Sequence, residues 1–131
     1  MSATRNTAFD VTATYVHLPD GGAATPVECT PEFWRELASG ERSYDGRMVT
    51  ANHVSGDMAH WEMHPAGEEL LVSVGATVKA VFQREDGEET VALPPGAACI
   101  VPRGVWHRIR VVEPGVLIFI THGEGTEHKP L

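Results

Sequence analysis

This sequence has few cysteines and no long apolar segment. Its 131 residues include only two cysteines, Cys29 and Cys99, which form no CxxC motif. A disulfide-stabilised fold is therefore not expected, and Cys99 reads as a small buried residue of an apolar stretch, with a thiolate ligand as the alternative. The longest apolar run, residues 116–120, has the length of a strand rather than of a membrane span. Because residues 1–7 are not followed by an apolar signal region, we expect a cytoplasmic protein.

Positive charge is also scarce. The chain has 10 lysines and arginines against 18 aspartates and glutamates, which gives a formal net charge of −8. Nucleic acids and anionic membrane surfaces are bound by basic patches, so neither is an expected partner. The hydrophobic fraction of 42% and the length of the chain suit one compact domain and leave no room for two.

From Arg47 onward, short β-like segments alternate with turns rich in Gly and Pro. Regularly spaced short strands of this kind predict an all-β sandwich or barrel, and the apolar runs favour a barrel made of two sheets. The predicted strands cover residues 47–54, 57–64, 69–74, 77–84, 89–93, 97–101, 105–112 and 116–121.

The residues before this region predict an arm with one strand and one helix. The strand covers Val11–His17, and the helix covers Pro31–Ser39, with Thr30 as N-cap and Gly40 at its end. Residues three and four apart share one helix face. The predicted buried stripe of the helix is Phe33, Trp34 and Leu37.

Three regions follow from these patterns. Residues 1–45 form the N-terminal arm with its strand and short helix packed on the barrel, residues 46–121 form the barrel, and residues 122–131 form a polar C-terminal tail. The tail is rich in glycine and is predicted to be irregular.

Metal-binding residue types cluster on two of the predicted strands. Side chains two apart on a strand point to the same face, so His60, Glu62 and His64 line one wall. A carboxylate follows the next turn, and His107 lies on a distant strand. Together these side chains predict a metal-binding cup.

The segments that carry these residues resemble the two motifs of the cupin superfamily of small β-barrels. In the first motif, Glu62 stands where the family has its first His, His64 matches the second His, and Glu69 or Glu68 matches the Glu. The second motif is matched without a gap by Gly96, Pro102, Gly104 and His107. Val111 stands where the family commonly has Asn. The resemblance covers roughly residues 46–121 and implies a single-domain jelly-roll (double-stranded β-helix) barrel.

The resemblance also implies a ligand set for one divalent transition metal. Its members are Glu62, His64, Glu69 and His107. Glu69 is preferred to Glu68 because it is the more internal on its strand. A Glu in place of a His makes the ligand set harder, which favours Fe, Mn, Ni or Zn over Cu. The alternative is a solvent-facing Glu62 beside two hydrogen-bonded core histidines.

His60 matches no family ligand, although it shares the wall with Glu62 and His64. It is either a residue that lines the barrel mouth or, in an enzyme, the general acid or base, because imidazole titrates near neutral pH.

The function that these features favour is a metal-dependent dioxygenase or isomerase acting on a small polar metabolite. The alternative is a non-catalytic metal-binding or small-molecule-binding sensor module, and a third interpretation is a purely structural barrel. The resemblance further implies a homodimer that exchanges N-terminal strands.

Overall fold

The computed structural model describes residues 6–131, so the first five residues of the predicted arm lie outside the described part. Within it, eleven β-strands and one α-helix follow one another. They are β1 (Thr14–Leu18), β2 (Thr25–Glu28), α1 (Phe33–Ser39), β3 (Arg47–Val54), β4 (His60–Met63), β5 (Glu69–Ser73), β6 (Thr77–Arg84), β7 (Gly87–Leu93), β8 (Ala98–Val101), β9 (His107–Glu113), β10 (Gly115–Thr121) and β11 (Glu127–Pro130).

The strands form two antiparallel sheets. One has six strands in the order β2-β1-β3-β10-β5-β8, and the other has five in the order β11-β4-β9-β6-β7. Strands that are far apart in sequence, such as β3 and β10, pair side by side within one sheet. The predicted all-β jelly-roll barrel is confirmed. Between residues 6 and 131, no helix is both long and apolar enough to cross a lipid bilayer.

The main hydrophobic core lies between the two sheets. Leu71 and Leu117 from the six-stranded sheet pack with Val78, Phe82 and Ile109 from the five-stranded sheet. In β5 and at the start of β9 the buried side chains alternate with more exposed ones, which is the pattern of a sheet with one buried face, whereas β6 is buried without a break from Ala80 to Phe82. Each fully buried side chain of this size contributes about 1.5–3 kcal/mol.

A second cluster joins the N-terminal arm to the six-stranded sheet. Tyr15 of β1, Phe33 of α1 and Met48 of β3 are its buried members. Trp34 was predicted to share this buried face, but its exposed fraction is 47%, whereas that of Phe33 is 0%. The prediction for Trp34 is wrong because its ring stands edge-on to Phe33 at the rim of the cluster.

The helix is shorter than predicted at its start. It begins at Phe33 with Glu32 at the N-cap position and no side-chain capping bond, so the predicted Thr30 cap is wrong. The carbonyl of Thr30 instead accepts a hydrogen bond from the Phe33 amide. The predicted end is confirmed, since Gly40 takes a left-handed conformation with φ 82°.

Two strands near the ends of the chain, β2 and β11, were not predicted from the sequence. In the N-terminal arm, β2 pairs with β1, and β1 pairs with β3 of the same chain. Exchange of N-terminal strands between two subunits therefore stays a prediction. The C-terminal tail was expected to be irregular, which is wrong: β11 pairs with β4. Both cysteines are free, and Cys99 is half-buried rather than fully buried.

Phe33→Ala should lower the free energy of unfolding by about 3–5 kcal/mol, because it empties the centre of the arm cluster. Trp34→Ala should cost less, about 1–2 kcal/mol, the order of its two ring-to-ring contacts with Phe33 and Tyr15. Urea unfolding followed by circular dichroism measures both variants. Equal losses would show that Trp34 is buried as the sequence suggested.

Candidate metal centre

The four predicted ligands come together where the two sheets approach one another. Glu62 of β4 lies directly opposite His107 of β9 in the five-stranded sheet. His64 follows the last residue of β4, and Glu69 is the first residue of β5 in the six-stranded sheet. The cluster therefore joins both sheets, with three side chains from one and one from the other.

The ligand atoms converge on one small volume. His64 Nε2 lies 3.2 Å from Glu62 Oε1 and 3.3 Å from Glu69 Oε2, and His107 Nε2 lies 3.2 Å from Glu69 Oε1. One ligand atom from each of the four residues falls within 4.8 Å of the others. The exposed fractions of the His64, Glu69 and His107 side chains are 3%, 2% and 2%, whereas that of Glu62 is 24%. The cluster is thus a buried cup that opens beside Glu62.

Hydrogen bonds fix which nitrogen of each imidazole is free. The Thr126 hydroxyl donates to the carbonyl of Gly123 at 2.7 Å, so its oxygen accepts from His64 Nδ1 at 2.8 Å. His107 Nδ1 donates to the carbonyl of Val105 at 3.0 Å. Both neutral rings therefore carry the proton on Nδ1 and turn an Nε2 lone pair into the cup.

This arrangement fits a divalent metal ion. Lone pairs on two imidazoles and charges on two carboxylates face each other, and His64 Nε2 is buried without a hydrogen-bond partner within residues 6–131. Such a set of acceptors is unfavourable unless a proton or a cation lies among them. Two carboxylates balance the charge of a divalent cation, and two nitrogens with oxygens suit Fe, Mn, Ni or Zn.

The carboxylates also have outer partners. The Thr121 hydroxyl donates to Glu69 Oε2 at 2.5 Å, and His128 Nε2 lies 2.9 Å from Glu62 Oε2. Thr126 and the Val105 carbonyl bond to the two imidazoles in the same way. Each of the four side chains therefore has a polar partner outside the cup. Partners of this kind orient metal ligands and raise metal affinity.

The charges of the cup shift the pKa values of three members. Burial alone would raise the pKa of Glu69, but the adjacent imidazoles of His107 and His64 lower it to about 2. Burial likewise would raise the pKa of Glu62, and His64 lowers it below its ordinary value. For His64, burial is outweighed by the two carboxylates, which raise its pKa to about 9. In the metal-free cup, a proton on His64 thus takes the place of a cation.

The other predicted site residue, His60, lies outside this group of four. It stands instead beside Glu62 and His128 in a second cluster nearer the solvent. Glu68 is exposed, so Glu69 is the carboxylate of the cup.

Thr121, Thr126 and His128 were not found from the sequence. Thr126 lies in the turn before β11 and His128 lies within β11, so neither could be placed while the polar tail was predicted to be irregular.

Comparisons with known proteins agree with this architecture. No family model matches the chain, and no curated protein matches it. Among solved structures, the oxalate decarboxylase of Bacillus subtilis superposes with a TM-score of 0.55 at 18% identity over 67% of this chain. A cupin-2 domain protein from Shewanella frigidimarina superposes with a TM-score of 0.50 at 20% identity, over 61% of this chain and 74% of its own.

The chain has the fold of the cupin superfamily. The resemblance seen in the sequence motifs is thereby confirmed for the fold. This cupin barrel spans only 24% of the oxalate decarboxylase chain, and identities this low establish the fold and not the reaction.

The metal-free cupin barrel should lose stability in mildly alkaline solution. The raised pKa of His64 means that its ion pairs stabilise the fold fully below pH 6.5 and are lost as the pH rises through about 9. The contribution of Glu69 is present above pH 4.5 and is lost only as the pH falls through about 2. We expect the free energy of unfolding to fall by about 2 kcal/mol between neutral pH and pH 10.

Chelator-treated protein, unfolded by urea at a series of pH values, checks this expectation. His64→Gln should remove most of the pH dependence. Stability that rises over this interval in the unmutated protein would contradict the assigned charges.

Thr126→Val should weaken metal binding by about 10–100-fold, because it removes the oxygen that holds the His64 Nδ1 proton. Thr126→Ser keeps that oxygen and should bind metal as the unmutated protein does. Competition with a chromophoric chelator measures the affinities. Equal affinities for valine and serine would show that Thr126 does not orient His64.

Proposed function

We propose that this cupin is a metal-dependent enzyme that acts on a small polar metabolite, either as a dioxygenase or as an isomerase. The observation that carries the proposal is the cup itself, in which two imidazole lone pairs and two carboxylates converge. A structural barrel has no need to desolvate two carboxylates in one place. The oxalate decarboxylase that shares the fold has Mn(II) centres, which supports a metal of the same class here.

In this proposal, the ion is held by Glu62, His64, Glu69 and His107. When bound, a metal of this class supplies Lewis-acid polarisation of a substrate oxygen or activation of dioxygen. The burial of the ligands determines the side from which a substrate can reach the ion. His64, Glu69 and His107 are almost fully buried, so a substrate reaches the cup on the side of the partly exposed Glu62.

His60 is proposed as the group that moves protons at this opening. It lies two residues before Glu62 on β4, so both side chains are on the same face. Its imidazole belongs to the half-open cluster at the mouth rather than to the buried cup, and an imidazole there can exchange protons with both solvent and substrate.

A non-catalytic sensor is the second candidate, since it would bind metal and a small molecule in the same cup without turnover. The homodimer, the cytoplasmic location and the absence of nucleic-acid and membrane partners stay predictions from the sequence, as does the division into arm, barrel and tail.

Metal-depleted protein should take up about one tight equivalent of Mn(II), Fe(II), Ni(II) or Zn(II). His64→Ala and His107→Ala should each weaken that equivalent by at least about a hundredfold, because each removes an Nε2 ligand. His53→Gln, at an exposed histidine of β3, is the matched control and should bind as the unmutated protein does. Elemental analysis after equilibrium dialysis makes the measurement, and equal uptake by all variants would refute the cup as the metal site.

Assays of the metal-loaded protein then distinguish between the candidate functions. Small diacids and diketones are added to the metal-loaded protein. Oxygen consumption is measured with an oxygen electrode, and conversion under anaerobic conditions is followed by NMR. Oxygen consumption identifies a dioxygenase, anaerobic conversion an isomerase, and binding without turnover a sensor. In either enzyme, His60→Gln should keep the tight metal and slow turnover.

A further inference from the structure

A second cluster of metal-binding side chains lies at the mouth of the cup. His60 and Glu62 share one face of β4, and His128 of β11 stands directly opposite Glu62. The imidazole centroids of His60 and His128 are 4.8 Å apart, and one ligand atom from each of the three residues falls within 4.8 Å of the others. Two imidazoles and one carboxylate therefore meet at the partly exposed end of the cup.

Glu62 belongs to both clusters through different oxygens. Its Oε1 lies 3.2 Å from His64 Nε2 inside the cup, and its Oε2 lies 2.9 Å from His128 Nε2 outside it. A carboxylate that turns one oxygen to each of two sets of imidazoles has the arrangement of a bridging ligand.

We propose that His60, Glu62 and His128 form a second divalent-cation site, the outer site, which shares Glu62 with the cup. The outer site depends on the proposed function only in that Glu62 is also a ligand in the cup. The effect of the outer site on catalysis depends in addition on the proposed role of His60. Two imidazoles with one carboxylate favour Zn(II), Ni(II) or Cu(II) over Mg(II) or Ca(II). The exposed fraction of the His128 side chain is 46%, so a cation reaches this site directly from solvent and binds more weakly than in the buried cup.

Occupation of the outer site has a consequence for the proposed chemistry. A cation there takes the imidazole lone pair of His60, which then cannot move protons, and it withdraws charge from Glu62. The outer cation would therefore inhibit the enzyme rather than assist it.

Equilibrium dialysis of metal-depleted protein against increasing Zn(II), with elemental analysis, tests the proposal. The unmutated protein should bind about two equivalents, one tight and one weaker. His60→Phe keeps an aromatic ring, and His128→Gln keeps an amide that can donate to Glu62 Oε2. Each should weaken the second equivalent by at least about tenfold and leave the tight one in place.

Two further variants separate the possible failures. His53→Gln should still bind two equivalents, and His107→Ala should lose the tight equivalent but keep the weak one. A single equivalent in the unmutated protein at saturation would overturn the outer site, as would a weak equivalent that survives both His60→Phe and His128→Gln. Retention of the tight equivalent by His107→Ala would instead refute the proposed cup and leave the outer site standing. His60→Phe and His128→Gln alter different strands. The same loss in both variants would therefore not be due to a folding defect in one of them.

Discussion

The need to balance the charges of two adjacent carboxylates, one of them almost fully buried, is the constraint on which the site depends. Glu69 is almost fully buried in the cup and would not remain charged there without a compensating positive group, and the partly exposed Glu62 places a second negative charge beside it. The protein brings two imidazoles to them and fixes each ring with its proton on the far side, so the balancing charge must come from a proton on Nε2 or from a cation. Both sheets must approach closely at this point, because Glu69 comes from one and its imidazole partners from the other.

The last strand completes the cup. β11 lies at the edge of the five-stranded sheet, and within residues 6–131 it pairs only with β4. It brings His128 behind Glu62, and the turn that leads into it brings Thr126 behind His64. Residues some sixty positions apart in the sequence thus cooperate through one strand pair. The same pairing also creates the outer cluster, so one short strand both supports the cup and gives its mouth a second group of ligands.

The barrel and the four cup residues could be predicted because their signals are local. β3 and β6 have the predicted bounds, since clear turn signals precede and follow each of them. The four ligands were found through spacing within two motifs. β11 was missed because it is polar, ends in Pro130 and follows two glycines, features that describe an irregular tail as well as an edge strand. Trp34 was misplaced because a short helix has two candidate apolar faces, and only packing against Tyr15 and Met48 decides between them.

An edge strand of four residues opens more readily than the strands at the centre of a sheet. When β11 separates from β4, Glu62 loses its outer partner His128, and the turn that holds Thr126 against His64 loses its anchor on the C-terminal side. For an ion held in the proposed site, we therefore expect a lifetime that depends on the local opening of residues 127–130. Amide hydrogen exchange in this segment would report on ion release, and a contact that pins β11 from outside would slow that release without touching a single ligand.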